Sequence, residues 1–216
     1  MAERIALFDL DGTLLDTSPG ILHAVDEAAR SLGLAPIGAE DKRSMIGPPI
    51  EQSFRRVCSL SAEEADRAAA VFRRSYAETY LLEAEPYPGI YEVLEQLRLL
   101  GWRTGVATYK RDSYARKLMK AKGITDRCDF CLGSVEGQTK QEIIRRCIEA
   151  LGGDPEHTVM VGDTVHDAEG AKQAGCAFIG VTFGFGFRSK EEILAPGALA
   201  AADTAEELLA VFAGLG

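Results

Sequence analysis

Two aspartates separated by one residue follow directly on an apolar run near the amino terminus. The run Ile5–Phe8 is typical of a buried strand, and Asp9 and Asp11 stand where that strand should end. Gly12 permits a close turn of the backbone, and Thr13 adds a hydroxyl. Open α/β sheets bind their ligands at the carboxyl ends of strands, where two carboxylates can meet a Mg²⁺ ion and backbone N–H groups. The alternative interpretation is an ordinary Asp-Gly turn.

Three further polar signals stand where an apolar run ends or a helical pattern begins. Thr108 closes an apolar run, Lys140 precedes the helical stretch 141–151, and Asp163 follows another apolar run, with Asp167 four residues later. Each residue also has a structural explanation, as a strand end, a solvated lysine or a helix N-cap. Because parallel strands present their carboxyl ends at one edge of a sheet, the four signals together predict one site at that edge.

In this order the signals resemble the four motifs of the haloacid dehalogenase superfamily of phosphotransferases, and the resemblance extends over nearly the whole chain. It implies, in chain order, a nucleophile, a general acid and base, two residues that hold the transferring phosphoryl group, and an acidic pair that anchors Mg²⁺: Asp9, Asp11, Thr108, Lys140, and Asp163 with Asp167. Dehalogenase members lack an aspartate at the position of Asp11, because a halide leaving group needs no proton. The presence of Asp11 therefore predicts a phosphatase.

The chemistry of phosphate esters agrees with these roles. Such esters hydrolyse extremely slowly without a catalyst, so the site must neutralise charge while it positions an attacking oxygen. Attack by Asp9 would give an aspartyl-phosphate, and Asp11 would serve first as acid and then as base. We expect Mg²⁺ to screen the like charges, with Asp9, the Asp11 backbone carbonyl and Asp163 as ligands. Asp167 is expected to orient Lys140 or a metal-bound water from outside the ligand set.

One group of residues is expected to bind the phosphoryl oxygens: Asp11, Gly12, Thr108, Tyr109 and Lys140. Lys110 is a rival to Lys140 for the cationic role, because it lies nearer to Thr108 in the chain. We favour Lys140, since it follows a loop of small residues after the candidate strand 130–132 and so comes from a third loop at the same edge. Tyr109 departs from the resemblance, because many relatives have Ser, Asn or Gly there.

The alternation of helical and apolar patterns predicts an α/β fold with a doubly wound parallel sheet, that is, a Rossmann-like core. Residues 1–15 are assigned to this core, residues 16–87 to an inserted all-helical cap domain, and residues 88–216 to the rest of the core. The cap assignment depends on two helical patterns with no strand between them, at 20–33 and 61–82.

Two segments rich in glycine or proline remain. Gly47, Pro48 and Pro49 lie in the most constrained loop of the predicted cap, because two prolines fix its backbone. Phosphoglycolate phosphatases and nucleotidase-like relatives carry a similar Gly-x-Pro loop, which implies a role in substrate specificity, and a plain turn between helices explains the prolines equally well. Segment 180–188 has glycines at a spacing seen in nucleotide-binding loops but lacks the accompanying helix and acid, so we interpret it as a flexible surface turn near the site.

Composition and charge restrict the partners. The chain of 216 residues is 46% hydrophobic and has a net charge of −9, which is typical of a soluble globular protein and argues against nucleic acid as the main partner. No apolar stretch approaches the about 20 residues of a membrane helix, and the amino terminus lacks a signal-peptide pattern. We therefore expect no membrane partner and a cytoplasmic location. The sequence does not distinguish a monomer from a homodimer.

The five cysteines are scattered through the chain, which indicates reduced thiols. Cys128 and Cys131 have the two-residue spacing of a zinc or redox pair. Because no second pair supports such a site, a packing role in a strand is favoured.

The sequence thus predicts a Mg²⁺-dependent phosphatase that acts on a small phosphorylated metabolite, and the resemblance implies phosphoglycolate or a nucleoside monophosphate as substrate class. A β-phosphoglucomutase-like phosphotransferase uses the same pair of aspartates, but no clear basic cap motif supports it. A non-enzymatic, receiver-like phospho-acceptor is the third alternative. Receivers are shorter, however, and carry their phosphorylated aspartate on a later strand.

Overall fold

The structure is a computed structural model that describes residues 3–47, 49–135, 137–195 and 197–215. The chain divides into two compact units. The core unit consists of Met1–Asp16 and Glu85–Gly216, and the helical unit consists of Thr17–Ala84.

A short antiparallel ribbon marks the two points where the chain passes between the units. Leu15 pairs with Pro86, and Asp16 pairs with Glu85. The sequence places the inserted cap at residues 16–87, whereas the helical unit is Thr17–Ala84. The difference arises because the paired residues on both sides of the insert belong to the core unit.

In its described residues, the helical unit contains four α-helices and a final π-helical turn: α1 (Ser18–Ser31), α2 (Ala39–Arg43), α3 (Ile50–Cys58), α4 (Ala62–Ser75) and Tyr76–Tyr80. A capping box starts α4, in which the Ser61 hydroxyl accepts the Glu64 N–H and the Glu64 carboxylate accepts the Ser61 N–H. Apolar side chains of these helices form a buried cluster that includes Val25, Phe54 and Ala68. The two helices predicted in this region are confirmed as α1 and as α4 with its π-helical turn.

The core unit contains the strands β1 (Arg4–Phe8), β2 (Leu15–Asp16), β3 (Glu85–Pro86), β4 (Trp102–Arg111), β5 (Phe130–Ser134), β6 (Thr158–Gly162), β7 (Ala177–Val181) and β8 (Ala200–Ala202). Strands β2 and β3 form the ribbon, and the other six form one parallel sheet in the order β5-β4-β1-β6-β7-β8. Its helices are α5 (Ile90–Leu99), α6 (Asp112–Ala121), α7 (Lys140–Ala150), α8 (Val165–Ala174), α9 (Lys190–Leu194) and α10 (Ala205–Gly214).

Helices cover both faces of the sheet around the central strand β1. Alternate side chains of a strand point to opposite faces, and those of residues 5–8 in β1 are fully buried. Ile5 and Leu7 belong to an apolar cluster with Ile144 of α7. Phe8 contacts Phe212 of α10, with 6.5 Å between the ring centroids. The predicted doubly wound α/β fold is confirmed.

The register of the three central strands fixes where the site is built. Phe8 at the end of β1 lies opposite Val106 of β4 and Val161 of β6. Residues that follow these positions therefore meet at one edge of the sheet. Among the described residues, none of the helices has both the length and the apolar character needed to cross a lipid bilayer.

Candidate active site

The central strands bring three polar residues to one sheet edge. Asp9 follows β1, Thr108 lies near the end of β4, and Asp163 follows β6. The Asp9 N–H donates to the Val161 carbonyl at 2.9 Å, which joins the end of β1 to β6. All three polar side chains are buried. Burial of this kind requires that each has a polar or charged partner.

Three carboxylates and one ammonium form the centre of the site. Oxygens of Asp9, Asp163 and Asp167 all lie within 4.8 Å of one another. Lys140 Nζ donates to Asp9 Oδ1 at 2.7 Å and lies 2.6 Å from Asp167 Oδ1. The structure therefore brings together four of the residues selected from the sequence.

Local structure determines how Lys140 reaches the centre. It is the first residue of α7, which begins with a capping box between Thr139 and Glu142. A Cβ atom on Gly170 of α8 would lie 2.6 Å from Lys140 Cγ. The lysine stem can pass over α8 only because residue 170 has no side chain. Sequence analysis did not select Gly170.

Both carboxylate oxygens of Asp167 are engaged within the protein. Oδ1 pairs with Lys140, and Oδ2 accepts the Thr164 hydroxyl at 2.6 Å and the Thr164 N–H at 3.1 Å. This arrangement agrees with a role in orienting Lys140 from outside a metal ligand set. It also identifies Thr164 as the N-cap of α8, a role that the sequence left open for Asp163.

Backbone N–H groups hold the carboxylate of Asp163. Its Oδ2 accepts the N–H of Phe185 at 2.7 Å and that of Gly186 at 3.2 Å. The Thr13 hydroxyl lies 3.4 Å from Asp163 Oδ1. Asp163 is fully buried, and these contacts fix the orientation of its carboxylate.

The segment after β7 is therefore more than a turn near the site. A Cβ atom on Gly184 or on Gly12 would lie 2.4 Å from Asp163 Oδ2, and Phe187 is buried in the core unit. The interpretation of segment 180–188 as a flexible surface turn near the site is incomplete, because its backbone also encloses a buried carboxylate. The glycine spacing was the available signal, and the close approach of backbone to a carboxylate is its physical reason.

The centre carries surplus negative charge. Burial, together with the charges of Asp167 and Asp9, raises the pKa of Asp163 to about 7. Burial also raises the pKa of Asp9 to about 6, against the opposing effect of Lys140. Burial alone would lower the pKa of Lys140, but Asp167 and Asp9 outweigh it and raise that pKa above its usual range. Three carboxylates beside one ammonium call for a proton or a further cation.

The donor set fits Mg²⁺. This ion prefers oxygen ligands, commonly needs only one or two carboxylates, and retains several waters. Asp9 and Asp163 would hold it. Lys140 binds one carboxylate oxygen of Asp9 and backbone N–H groups bind one of Asp163, so the second oxygen of each carboxylate would face the ion. The Asp11 backbone carbonyl stays the predicted third ligand.

A second lysine pairs with the second aspartate. Lys110 Nζ donates to Asp11 Oδ1 at 2.9 Å and to Oδ2 at 3.1 Å, and only 7% of the Lys110 side chain is exposed. The Lys110 N–H also donates to the Thr108 hydroxyl at 3.2 Å. The two lysines that compete in the sequence thus take different partners, Lys140 with Asp9 and Lys110 with Asp11.

Residues 12 and 109 complete the expected phosphoryl-binding group. Gly12 has a φ of +83°, a conformation that side-chain-bearing residues rarely adopt. The Tyr109 hydroxyl accepts the main-chain N–H of Lys140 at 2.7 Å. Tyr109 is therefore tied to the start of α7, a contact that nothing in its sequence neighbourhood indicates.

The residues expected to govern specificity lie in the helical unit. Gly47 has a φ of +100°, and Pro49 is the N-cap residue of α3. Pro48 lies outside the described residues. A role of this loop in specificity stays a prediction.

All five cysteines are unpaired. Burial raises the pKa of Cys128 to about 12 and that of Cys131 to about 11, so both thiols are protonated at neutral pH. Among the described residues, the acidic centre is the one group of three or more potential metal ligands. The Cys128 and Cys131 pair therefore has no further ligand there that would complete a zinc site.

Comparison with known proteins identifies the family. Residues 6–181 match a family model described as haloacid dehalogenase-like hydrolase. The chain belongs to this family. The match spans both units and all the acidic and lysine residues of the site.

Relatives of this haloacid dehalogenase-like hydrolase include named phosphatases. It is 35% identical over 192 residues to a 5'-nucleotidase of Pseudomonas aeruginosa, covering 88% of this chain and 86% of that protein. It is 34% identical over 188 residues to a phosphoglycolate phosphatase of Neisseria meningitidis, covering 83% and 80%. Among solved structures, a haloacid dehalogenase-like hydrolase from Streptococcus pneumoniae is 30% identical with a TM-score of 0.88, covering 97% and 98%.

These comparisons confirm three predictions made from the sequence: membership of the haloacid dehalogenase superfamily, the α/β fold class, and an enzyme of the hydrolase type with phosphatase relatives. Sequence analysis missed the pairing of Lys110 with Asp11 and the enclosure of Asp163 by the segment after β7. Both depend on contacts between residues far apart in the chain, which local patterns do not reveal.

Proposed function

We propose that this haloacid dehalogenase-like hydrolase is a Mg²⁺-dependent phosphatase that hydrolyses small phosphomonoesters through an aspartyl-phosphate on Asp9. The observation that carries the proposal is the buried Asp9 carboxylate, bound by Lys140 Nζ at 2.7 Å beside two further carboxylates. An oxygen nucleophile, a fixed ammonium and a cation site together meet the needs of phosphoryl transfer, which is mainly positioning and charge neutralisation.

In the first step, a carboxylate oxygen of Asp9 attacks phosphorus, and the bond from phosphorus to the ester oxygen breaks. Asp11 gives its proton to the departing oxygen, so that the alcohol leaves neutral. The Lys140 ammonium is hydrogen-bonded to Asp9, and its positive charge stabilises the transferring phosphoryl group. The Thr108 hydroxyl contributes a further polar contact at the same edge.

In the second step, a water molecule attacks the phosphorus of the aspartyl-phosphate. Asp11, now a carboxylate, accepts the proton of that water, and the bond from phosphorus to Asp9 breaks. Inorganic phosphate leaves, and both aspartates return to their starting forms. Lys110 contacts both oxygens of Asp11 and holds that side chain in place between the two steps.

Asp9 and Asp163, with the backbone carbonyl of Asp11, would hold Mg²⁺. When bound, the ion supplies positive charge that screens the approach of a carboxylate to a phosphate dianion. Asp167 keeps Lys140 oriented, and the Phe185 and Gly186 N–H groups keep Asp163 oriented.

The proposed substrate is a small phosphorylated metabolite. Phosphoglycolate and nucleoside monophosphates are the candidate classes, because relatives named for activities of both kinds match most of this chain. A β-phosphoglucomutase-like enzyme would interconvert sugar phosphates instead of releasing phosphate, so assays of both products separate the two activities. The five unpaired cysteines fit a reducing compartment such as the cytoplasm.

The nucleophile is tested with Asp9→Asn. We expect phosphate release from p-nitrophenyl phosphate in Mg²⁺ to fall at least about 10³-fold, because an amide oxygen cannot form the acyl phosphate. The melting temperature should stay close to that of the native protein. Asp126→Asn, at an exposed position of the core unit, is the matched control and should keep full activity.

A second variant tests the intermediate. In Asp11→Asn treated with p-nitrophenyl phosphate, whose phenolate leaves without a proton, acid-quenched samples should retain one phosphoryl group on Asp9, detected by mass spectrometry, because the residue that activates water is missing. Turnover by Asp9→Asn at the native rate would refute the proposal.

A further inference from the structure

The aromatic ring of Tyr109 is exposed beside the most buried part of the site. Its neighbour Thr108 is 1% exposed, whereas Tyr109 is 45% exposed. Lys140 Nζ lies 5.7 Å from the centroid of the Tyr109 ring and 2.7 Å from Asp9 Oδ1. One lysine head group therefore separates the exposed ring from the carboxylate of the proposed nucleophile.

Three contacts fix the position of this ring. The Tyr109 hydroxyl accepts the Lys140 N–H at 2.7 Å, and the Tyr109 carbonyl accepts the Ser134 hydroxyl at 2.7 Å. The rings of His166 and Tyr109 are close to perpendicular, with centroids 6.2 Å apart and planes at 81°. A ring held at its hydroxyl, at its backbone and by a second ring loses little further freedom when a ligand packs on it.

The residues beside Tyr109 extend this surface. His166 is exposed in the first turn of α8, and Val165 before it is 56% exposed. The exposed ring and its neighbour thus come from two elements of the core unit, β4 and α8, whose ends meet at the same sheet edge. We name Tyr109 and His166 the aromatic pair.

The charged groups at the site do not offer the same kind of contact. Lys140 is paired with Asp9 and Asp167, and Lys110 is paired with Asp11. Close to the phosphoryl position, the core unit therefore presents the exposed part of the Tyr109 ring. Aromatic faces bind planar groups by stacking, and stacking of a nucleobase on an aromatic side chain tolerates any base.

We propose that the aromatic pair makes Tyr109 a specificity-determining residue, which favours phosphomonoesters whose leaving group carries a planar ring, such as nucleoside monophosphates, over compact esters. This inference rests on the proposed phosphatase function. It assigns the leaving group to the Tyr109 side, next to Lys140.

The test compares two substrates that share one phosphate ester and differ only in the base, adenosine 5'-monophosphate and ribose 5-phosphate. We expect the native protein in Mg²⁺ to show a kcat/KM ratio of at least about 5 in favour of the nucleotide. Tyr109→Asn should bring this ratio close to one, mainly through a higher KM for the nucleotide.

Tyr109→Phe is the matched control for the ring. It removes the hydrogen bond to the Lys140 N–H and so lowers the rates for both substrates, yet it should preserve their ratio because the ring remains. His166→Ala, at an exposed position, should lower the ratio about 2-fold, since the Tyr109 ring loses its contact with the His166 ring. This variant keeps the test decisive if Tyr109→Asn does not fold.

Two failures are distinguishable. A native protein that turns over neither these esters nor p-nitrophenyl phosphate would overturn the proposed function itself. A native protein that hydrolyses p-nitrophenyl phosphate would overturn the role of the ring if the two ribose esters gave equal kcat/KM. The same holds if Tyr109→Asn lowered both values by one common factor, since Tyr109 would then act only on the position of Lys140.

Discussion

Lys140 is the residue on which the charge balance of the centre depends. It is 3% exposed, and its ammonium forms ion pairs with the carboxylates of both Asp9 and Asp167. One positive charge therefore balances two buried negative charges. Removing one partner of a buried ion pair lowers the free energy of unfolding more than replacing both partners with apolar residues, because the remaining charge is buried without a partner. The same residue that would bind the phosphoryl group thus contributes to the stability of the fold.

We therefore expect Lys140→Met to lower the free energy of unfolding by about 3 to 5 kcal/mol near neutral pH. Phosphatase activity should fall by a factor on the order of 10² to 10³, because a positive charge at the phosphoryl position is lost. Denaturant titration and steady-state kinetics measure the two effects. Lys172→Met is the control, since Lys172 is exposed on α8 and should change neither quantity. Equal stability of the two variants would contradict the role of Lys140.

At the scale of single elements, the segment after β7 acts as a support for Asp163. Its backbone N–H groups take one carboxylate oxygen, and its glycines allow the backbone to lie against that oxygen. Groups that orient a metal ligand in this way typically affect metal affinity by 10- to 100-fold.

Gly184→Ala tests this support. The new Cβ would lie 2.3 Å from the Gly12 carbonyl oxygen and 2.4 Å from Asp163 Oδ2, so the segment has to shift. We expect Mg²⁺ affinity, measured by calorimetry, to fall about 10-fold while the fold is retained. Gly214→Ala is the matched control, because a Cβ there meets no atom within 4 Å. Unchanged affinity in Gly184→Ala would show that the segment does not position the ligand.

The elements also show what the sequence can and cannot predict. Strand β1 and helices α1 and α7 can be predicted from the sequence, because apolar periodicity and capping residues are local features. Strand β8 was not predicted, because Ala200–Ala202 is a short edge strand of residues with little strand preference. The residues of the acidic centre were selected because strand ends converge. The pairing of Lys110 and the support by Gly184 were not, because both join segments distant in sequence.

For the whole molecule, the acidic centre links stability to pH. Asp163 and Asp9 have pKa values raised by burial to about 7 and about 6, above the value of 3.8 for an unperturbed aspartate. Between about pH 4 and pH 7 the folded protein therefore binds more protons than the unfolded chain, and stability falls as pH rises through that window. Lys140 lies outside the window, since its raised pKa places its titration in strong alkali.

We expect the metal-free protein to melt at a lower temperature at about pH 8 than at about pH 5, with each unit of raised pKa worth roughly 1.4 kcal/mol. Saturating Mg²⁺ should raise the melting temperature more at the higher pH, because the ion and the protons compete for the same carboxylates. Differential scanning calorimetry measures both trends. Asp163→Asn should flatten them, and identical pH profiles for this variant and the native protein would contradict the assignment.

The antiparallel ribbon of Leu15–Asp16 and Glu85–Pro86 has an evolutionary consequence. The ribbon holds the first and last residues of the insert together as neighbouring strands. Pairing within the core unit therefore offsets the entropic cost of closing that long loop. Substituting, lengthening or shortening the intervening helices then leaves the spacing of the two anchor points unchanged. Families with such a junction can change their substrate specificity by replacing the whole insert, while the catalytic residues at the sheet edge stay the same.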